Sequence, residues 1–98
     1  MSNLTFEWNA AKAAANLRKH GVSFQEAVTV FSDERGLLID DPHHSAGEER
    51  FILLSLSTGQ HTFVVVHCYR EGQDSIRIIS ARKATRPERA TYEAGWQP

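Results

Sequence analysis

The 98-residue chain contains a single cysteine, Cys68, so no disulfide can form within it. No stretch approaches the roughly 20 consecutive apolar residues that a membrane-spanning helix needs. The opening MSNLTFEWNAAK lacks the basic, apolar and small-residue order of a secretory signal. Internal repeats, low-complexity segments and a glycine-rich phosphate loop are also missing. These absences argue against a disulfide-stabilised or membrane-bound protein and favour the cytoplasm or another reducing compartment. The length is enough for one core and too short for two, so we expect one domain, residues 1–98.

Net charge is low, but the charges are unevenly placed along the chain. The formal net charge is −1, which argues against a strongly basic nucleic-acid-binding protein. Residues 33–50 hold six acidic residues against two arginines and carry −4. Residues 70–89 hold five arginines and one lysine against three acidic residues and carry +3. A nearly neutral protein can therefore present a local basic patch to an anionic ligand.

Two helices are predicted near the N-terminus. Residues 9–20 are rich in alanine and straight-chain residues, with Asn9 as the N-cap and Gly21 just beyond the last turn. A second, short helix is expected next, because Ser23 and Glu26 have the spacing of a capping box and apolar residues then recur at helical intervals. We expect these helices to help cover a sheet.

Strands and a last helix are predicted in the remainder of the chain. The strands are expected at residues 37–40, 51–57, 62–69 and 75–81, with turns at 57–60 and 71–74 that produce consecutive hairpins. Residues 4–8 are a candidate for an extra edge strand. Thr85 and Glu88 have capping-box spacing and start a helix that runs to about Gly95. The expected fold is α+β: two N-terminal helices, an antiparallel sheet of three to four strands and a C-terminal helix.

A family resemblance is carried by three segments of the chain. The signature of the BrnT family of bacterial toxins resembles, in this order, FEWNAAKAAANLRKHGVSFQEAVTVF, HSAGEERF and RIISARKATRPERATYE. Asn9 stands where family members commonly have Asp, and Cys68 stands where a small hydroxylated residue is expected. Neither departure removes a basic group. Because Asn and Asp cap helices about equally well, the first departure leaves the resemblance intact.

The resemblance implies both a fold and a biological role. It implies a small RelE-like ribonuclease with an antiparallel sheet flanked by helices. Such a protein is the toxin of a type II toxin–antitoxin pair, its substrate is RNA, and no metal or cofactor is expected. The expected partner is a BrnA-like ribbon-helix-helix antitoxin. The resemblance suggests that the two proteins form a heterotetramer, which binds operator DNA through the antitoxin and represses its own operon.

The basic segment suits the chemistry of such an enzyme. RNA cleavage without a metal needs a base for the ribose 2′-hydroxyl, an acid for the leaving 5′-oxygen and cations for the pentavalent phosphorane. Arg82 leaves its strand near the N-terminus of the last helix, where unpaired backbone amides favour anions. Arg70 lies at the far end of the preceding strand, roughly 20 Å from Arg82 at about 3.3 Å per residue. The two arginines can contact separate phosphates of one RNA strand, or only one of them is catalytic.

Eight residues are candidates for the site once the resemblance is taken into account. The catalytic candidates are Arg82, Arg70, Arg89, Lys19 and His20, and the RNA-binding candidates are Lys83, Arg86 and Tyr92. Each also has a structural interpretation. The arginines can form exposed ion pairs with Glu88, and Tyr92 can pack in the core. Lys19 and His20 can complement the dipole at a helix C-terminus, and His67 is expected to be a hydrogen-bonded core residue.

Several questions stay open at the level of sequence. Strict alternation along residues 76–83 places Arg77 and Arg82 on opposite faces of the strand. His43 and His44 lie in an expected loop without the spacing of a metal site. No residue stands out as the general base. A non-enzymatic binding module, whose basic face docks an acidic partner or holds RNA without cutting it, is therefore the competing hypothesis.

Overall fold

The structure is a computed structural model that describes residues 4–41, 49–70 and 74–95. Its elements, in chain order, are β1 (Thr5–Glu7), α1 (Ala10–His20), α2 (Phe24–Ala27), a 3₁₀ helix (Val28–Ser32), β2 (Leu37–Asp40), β3 (Phe51–Leu56), β4 (Thr62–Tyr69), β5 (Ser75–Lys83) and α3 (Arg86–Ala94). None of the helices in these ranges is long and apolar enough to cross a membrane. The predicted order of helices and strands along the chain is confirmed, whereas most of the loop at 41–49, with His43 and His44, lies outside the described residues.

The sheet is five-stranded and mixed, in the order β1-β5-β4-β3-β2. Within β2 to β5, each strand is antiparallel to the next, as expected for consecutive hairpins. The predicted edge strand exists, but β1 runs parallel to β5, with Phe6 opposite Ile76. The expected antiparallel sheet of three to four strands thus corresponds to β2–β5, but with β1 the whole sheet is five-stranded and mixed. A parallel pair is allowed here because most of the chain separates the two strands.

Local capping explains where the helices begin and end. The side chain of Asn9 accepts a hydrogen bond from the Lys12 amide, and Gly21 adopts a left-handed φ of 71° after α1. At α3, both hydrogen bonds of the capping box between Thr85 and Glu88 form. At α2, the side chain of Ser23 accepts a hydrogen bond from the Glu26 amide, but the Glu26 carboxylate binds Ser57 and His61.

Apolar side chains form one core cluster on each side of the sheet. Helices α1 and α2 cover the larger cluster, which includes Phe24, Val65 and Ile78. Helix α3 covers the smaller one through Tyr92, which packs with Leu54, Val64 and Ala84. His67 is fully buried, and its Nδ1 lies 3.2 Å from the Val65 carbonyl oxygen, which confirms the expectation of a core histidine.

A β-bulge in β5 changes the direction of its arginines. Pairing with β4 passes from His67 opposite Ile78 to Val66 opposite Ser80, so Ile79 is an extra residue. Arg77 lies opposite Cys68 and Arg82 lies opposite Val64. Because Cys68 and Val64 are four positions apart on β4, Arg77 and Arg82 share one face of the sheet. The prediction of opposite faces is wrong for this reason.

The outer edge of β5 beyond β1 is covered by a side chain. Among the described residues, β1 pairs with Ser75–Arg77. Further along, the buried Asn16 of α1 accepts from the Ala81 amide at 3.1 Å and donates to the Ala81 carbonyl at 2.8 Å. It also donates to the Val22 carbonyl at 3.0 Å. Asn16 thereby satisfies backbone groups that a further strand would otherwise pair, and it fixes α1 against β5.

Candidate active site

A cleft of about 410 Å³ opens at the end of the sheet where β3 and β5 finish and β4 begins. It is lined by Leu56, Gln60, His61, Thr62, Lys83, Ala84, Arg89, Tyr92 and Glu93. Its volume is within the range of pockets that bind small ligands or segments of larger ones. Three predicted residues therefore meet in one place, Lys83 from β5 and Arg89 and Tyr92 from α3.

Two cations border this cleft. Lys83 is the last residue of β5 and is exposed, directly before the chain turns into α3. Arg89 lies one turn into α3, where its guanidinium donates to the Ala84 carbonyl at 3.2 Å. That hydrogen bond uses one of five N–H groups, so most of the guanidinium is available to an anion. The pair suits a phosphate, since lysine and arginine side chains both donate charge-assisted hydrogen bonds to phosphate oxygens.

A hydrogen-bonded carboxylate and imidazole lie beside the cations. Glu26 Oε2 lies 2.7 Å from His61 Nδ1 and accepts a hydrogen bond from Ser57 Oγ at 2.6 Å. The hydrogen bond from His61, followed by that from Ser57, lowers the pKa of Glu26 from its ordinary value, and the charge of Lys83 adds to this. The His61 ring stacks on Phe63 with 5.8 Å between centroids. Glu26 is therefore the residue of α2 whose amide is capped by Ser23 but whose carboxylate binds Ser57 and His61 instead of completing the capping box.

Tyr92 contributes its ring to the cleft while its hydroxyl is engaged. The phenol donates to Asp33 Oδ2 at 2.6 Å. Burial alone raises the pKa of Asp33, but hydrogen bonds from Tyr92, the amides of Leu56 and Arg35, and Ser55 outweigh it and hold that pKa at about 2. Burial and the contact with Asp33 both raise the pKa of Tyr92. Its hydroxyl is therefore fixed in position, on a carboxylate that stays ionised.

Arg82 lies outside the cleft lining and is paired with Glu88. The two guanidinium nitrogens donate to the two carboxylate oxygens at 2.8 and 2.9 Å, which is a bidentate pair. The hydrogen bond from Arg82 is the main reason why the pKa of Glu88 falls to about 2. Arg82 also donates to the Lys83 carbonyl at 3.3 Å. The structural role expected for an arginine of this segment, an ion pair with Glu88, is therefore present for Arg82. Glu88 also completes the capping box of α3.

The remaining predicted residues lie elsewhere. Arg70 lines a second cleft of about 350 Å³ together with Glu7, Trp8, Asn9 and Arg77. Its Nε lies 2.9 Å from Glu7 Oε1. Lys19 and His20 occupy the last turn of α1 and line neither cleft, and Arg86 is exposed at the start of α3. The structure thus divides the eight candidates among several surfaces.

Sequence reasoning missed Glu26, Ser57 and His61. The spacing of Glu26 from Ser23 predicts a capping box, which assigns the Glu26 carboxylate to the start of α2. For residues 57–60 the sequence predicts only a turn. Glu26 and His61 are 35 positions apart, and no local sequence pattern predicts a contact between them. Among the described residues there is no group of three or more His, Cys, Asp or Glu side chains that could hold a metal ion.

The chain matches one family and the fold of one of its solved members. A family model described as "Ribonuclease toxin, BrnT, of type II toxin-antitoxin system" matches residues 8–88. The crystal structure of the Brucella abortus ribonuclease toxin BrnT matches with a TM-score of 0.63 and 18% sequence identity, over 85% of this chain and 99% of that one. At that identity, the structural match shows the shared fold. No curated protein matches the chain. Because the family match covers most of the sequence, the chain belongs to the BrnT family of ribonuclease toxins of type II toxin–antitoxin systems.

Proposed function

We propose that this protein is an RNA-cleaving toxin that works without a metal ion, and that the cleft at the end of β5 is its active site. The observation that carries the proposal is the meeting of Lys83 and Arg89 with the imidazole of His61 in one cleft. Two cations can hold a phosphodiester, and an imidazole is the commonest side chain for proton transfer at neutral pH. The family gives the reaction class.

In this proposal the cations have separate tasks. Lys83 and Arg89 hold the scissile phosphate and stabilise the charge that develops on its oxygens. Arg86 and the ring of Tyr92 contact the neighbouring nucleotide. Arg82, whose side chain is 40% exposed, supports the scissile phosphate from beside α3. Arg70, together with Lys19 and His20, contacts RNA farther from the cut, because none of these residues lines the cleft.

The partner and the setting follow from the family. We propose that a BrnA-like ribbon-helix-helix antitoxin neutralises the toxin, that the two form a heterotetramer, and that the antitoxin brings this complex to operator DNA. We also propose a RelE-like ancestry for the fold and a cytoplasmic site of action, where RNA is available. An antitoxin with acidic residues would cover the cleft by charge complementarity with Lys83 and Arg89.

The test is cleavage of end-labelled RNA in EDTA by the purified chain. We expect cleavage that leaves 2′,3′-cyclic phosphate ends. The double variant Lys83→Ala/Arg89→Ala should lower the rate at least about 100-fold, because two transition-state contacts are lost. Lys12→Ala, which removes an exposed lysine of α1, is the matched control and should cleave at the wild-type rate.

Two results would contradict the proposal. Intact RNA with retained, salt-sensitive binding would indicate a non-enzymatic binding module. Unchanged cleavage by the double variant would place the active site elsewhere. Expression of the wild-type chain in a bacterium should arrest growth, and co-expression of the antitoxin should restore it.

A further inference from the structure

The proposed cleavage needs a group that removes the 2′-hydroxyl proton, and the family match does not identify one. We infer that His61 is this general base and that Glu26 is its positioning residue. The inference rests on the proposed function, since it assigns a role within that reaction. It is carried by the hydrogen bond between the two side chains, by their place beside Lys83, and by the exposure of the imidazole.

The hydrogen bond determines which nitrogen of His61 can act as a base. Glu26 is ionised above acidic pH, because its hydrogen bonds from His61 and Ser57 lower its pKa. An ionised carboxylate can only accept, so His61 Nδ1 must carry the proton and donate it. In the neutral ring, Nε2 then carries the lone pair. Among the described residues nothing hydrogen-bonds to that nitrogen, and the side chain is 53% exposed.

The imidazole is held rigidly on both sides. Glu26 fixes its edge, and the ring of Phe63 stacks on its face with an interplanar angle of 22°. Ser57 fixes Glu26 in turn by donating to the same carboxylate oxygen. A base that is oriented by a carboxylate, which is itself hydrogen-bonded, follows the logic of catalytic triads. The arrangement lowers the cost of ordering the base at each turnover.

Other candidates for proton transfer are hydrogen-bonded to other groups, buried or not oriented. The Tyr92 hydroxyl donates to Asp33, and Glu88 is bound bidentately by Arg82 with a pKa of about 2. His67 is fully buried among aromatic rings, and burial lowers its pKa. Glu93 lines the cleft, but it is an exposed residue without a hydrogen bond among the described residues to orient it. His61 is the candidate that is both oriented and accessible.

The step balances as follows. His61 Nε2 takes the proton of the ribose 2′-hydroxyl as the 2′-oxygen forms a bond to phosphorus. The bond between phosphorus and the 5′-oxygen then breaks, and the 5′-oxygen leaves with the electron pair and takes a proton from water in the open cleft. The products are a 2′,3′-cyclic phosphate and a 5′-hydroxyl. The imidazolium returns its proton to solvent, and no oxidant or co-reactant is needed.

The experiment compares His61 variants in the RNA cleavage assay. His61→Asn keeps an N–H donor that can bond to Glu26 but removes the basic nitrogen, so we expect cleavage to fall about 100-fold or more. Binding of RNA with a 2′-deoxyribose at the cut should change less than threefold, because the phosphate contacts remain. Gln25→Ala, beside Glu26 on the exposed side of α2, should cleave normally. Circular dichroism would verify that each variant folds.

Chemical rescue separates catalysis from structure. In His61→Ala, added imidazole should enter the open space in the cleft and restore cleavage at least tenfold. It should not restore cleavage in Lys83→Ala, where the base is intact and a cation is missing. Glu26→Gln should retain part of the activity, since it mispositions the base without removing it.

The outcomes distinguish this inference from the function on which it rests. If the wild type cleaves and His61→Asn cleaves equally well, His61 is not the base and the ribonuclease assignment stands. If His61→Ala loses cleavage but imidazole fails to rescue it, while the variant remains folded and binds RNA, the inference is also overturned. If the wild type cleaves no RNA, both the function and the inference fail.

Discussion

At the scale of single residues, Asp33 connects more elements than any site residue discussed above. It accepts hydrogen bonds from Tyr92 of α3, from the amide of Leu56 and the hydroxyl of Ser55 at the end of β3, and from the Arg35 amide. These donors approach a carboxylate that is only partly buried. Asp33 therefore connects α3, which lines the cleft through Tyr92, to the end of β3.

The pH dependence of stability follows from this arrangement. The folded pKa of Asp33, about 2, is below its ordinary value of 3.8, so its stabilising effect is complete above about pH 4 and is lost as pH falls toward 2. Asp33→Asn should lower the free energy of unfolding at pH 7 by about 2 kcal/mol. It should also flatten the decline between pH 4 and 2, as measured by urea denaturation.

A control separates Asp33 from the rest of the acidic residues. Asp40→Asn, which removes an exposed carboxylate on the edge strand β2, is the control and should leave the free energy of unfolding at pH 7 unchanged. Glu88 also has a depressed pKa of about 2, so some acid dependence will remain in Asp33→Asn. An equally steep decline in wild type and Asp33→Asn would show that the hydrogen bonds to Asp33 do not stabilise the folded state.

At the scale of elements, features that depend on local contacts could be predicted from the sequence, whereas features that depend on long-range contacts could not. Helices α1 and α3 were predictable because their caps, Asn9 and Thr85, bond within the same turn. The bulge at Ile79 was not, since it depends on how β5 pairs with β4, and one extra residue reverses the faces that follow. Asn16 reads as an ordinary helical residue, yet it satisfies the edge of β5 from 65 positions away.

The site shows the same division. The cations of the basic segment were visible because they are contiguous in sequence. Their sharing of a cleft with His61 was not, because it depends on the turn that joins β3 to β4 and on Glu26 from α2. A carboxylate with capping-box spacing has two competing uses, and only tertiary contacts decide between them.

The Arg82–Glu88 pair links two elements, β5 and α3. In a double-mutant cycle with Arg82→Ala and Glu88→Ala, we expect a coupling of about 1 kcal/mol in the free energy of unfolding at pH 7, since the pair is bidentate but partly exposed. The folded pKa of Glu88 is about 2 against an ordinary 4.5. The coupling should therefore be complete above about pH 4.5 and disappear as pH falls through about 2.

Cleavage assays on the same variants separate the two roles of Arg82. If Arg82 also supports the phosphate, Arg82→Ala should lose cleavage while Glu88→Ala, which frees the guanidinium, keeps it. Equal losses in both variants would mean that the pair acts only by fixing α3. Thr85→Ala, which weakens the same helix start by about 1 kcal/mol, is the structural control.

At the scale of the whole molecule, the arginines and the lysine that line the two clefts form two groups at opposite ends of the β4–β5 hairpin. One group borders the cleft with Lys83 and Arg89, and the other borders the second cleft with Arg70 and Arg77. Val64 lies opposite Arg82, and Arg70 comes six positions later, which corresponds to roughly 20 Å at about 3.3 Å per residue. A single phosphate cannot bridge this span, but a strand of several nucleotides can.

Binding should therefore depend on RNA length in a way that reports on Arg70. We expect Arg70→Ala to weaken binding of a non-cleavable RNA of about ten nucleotides several-fold. The slope of log K against log salt for this binding should become shallower by about 0.7, which is the value for one phosphate contact on a single strand. The same variant should bind a dinucleotide as the wild type does, because so short a ligand occupies only the Lys83 end. Arg35→Ala, an exposed arginine in the acidic segment, is the matched control and should change neither affinity. Equal weakening for both RNA lengths would place Arg70 at the scissile phosphate, whereas no weakening for either would mean that its ion pair with Glu7 keeps it from RNA.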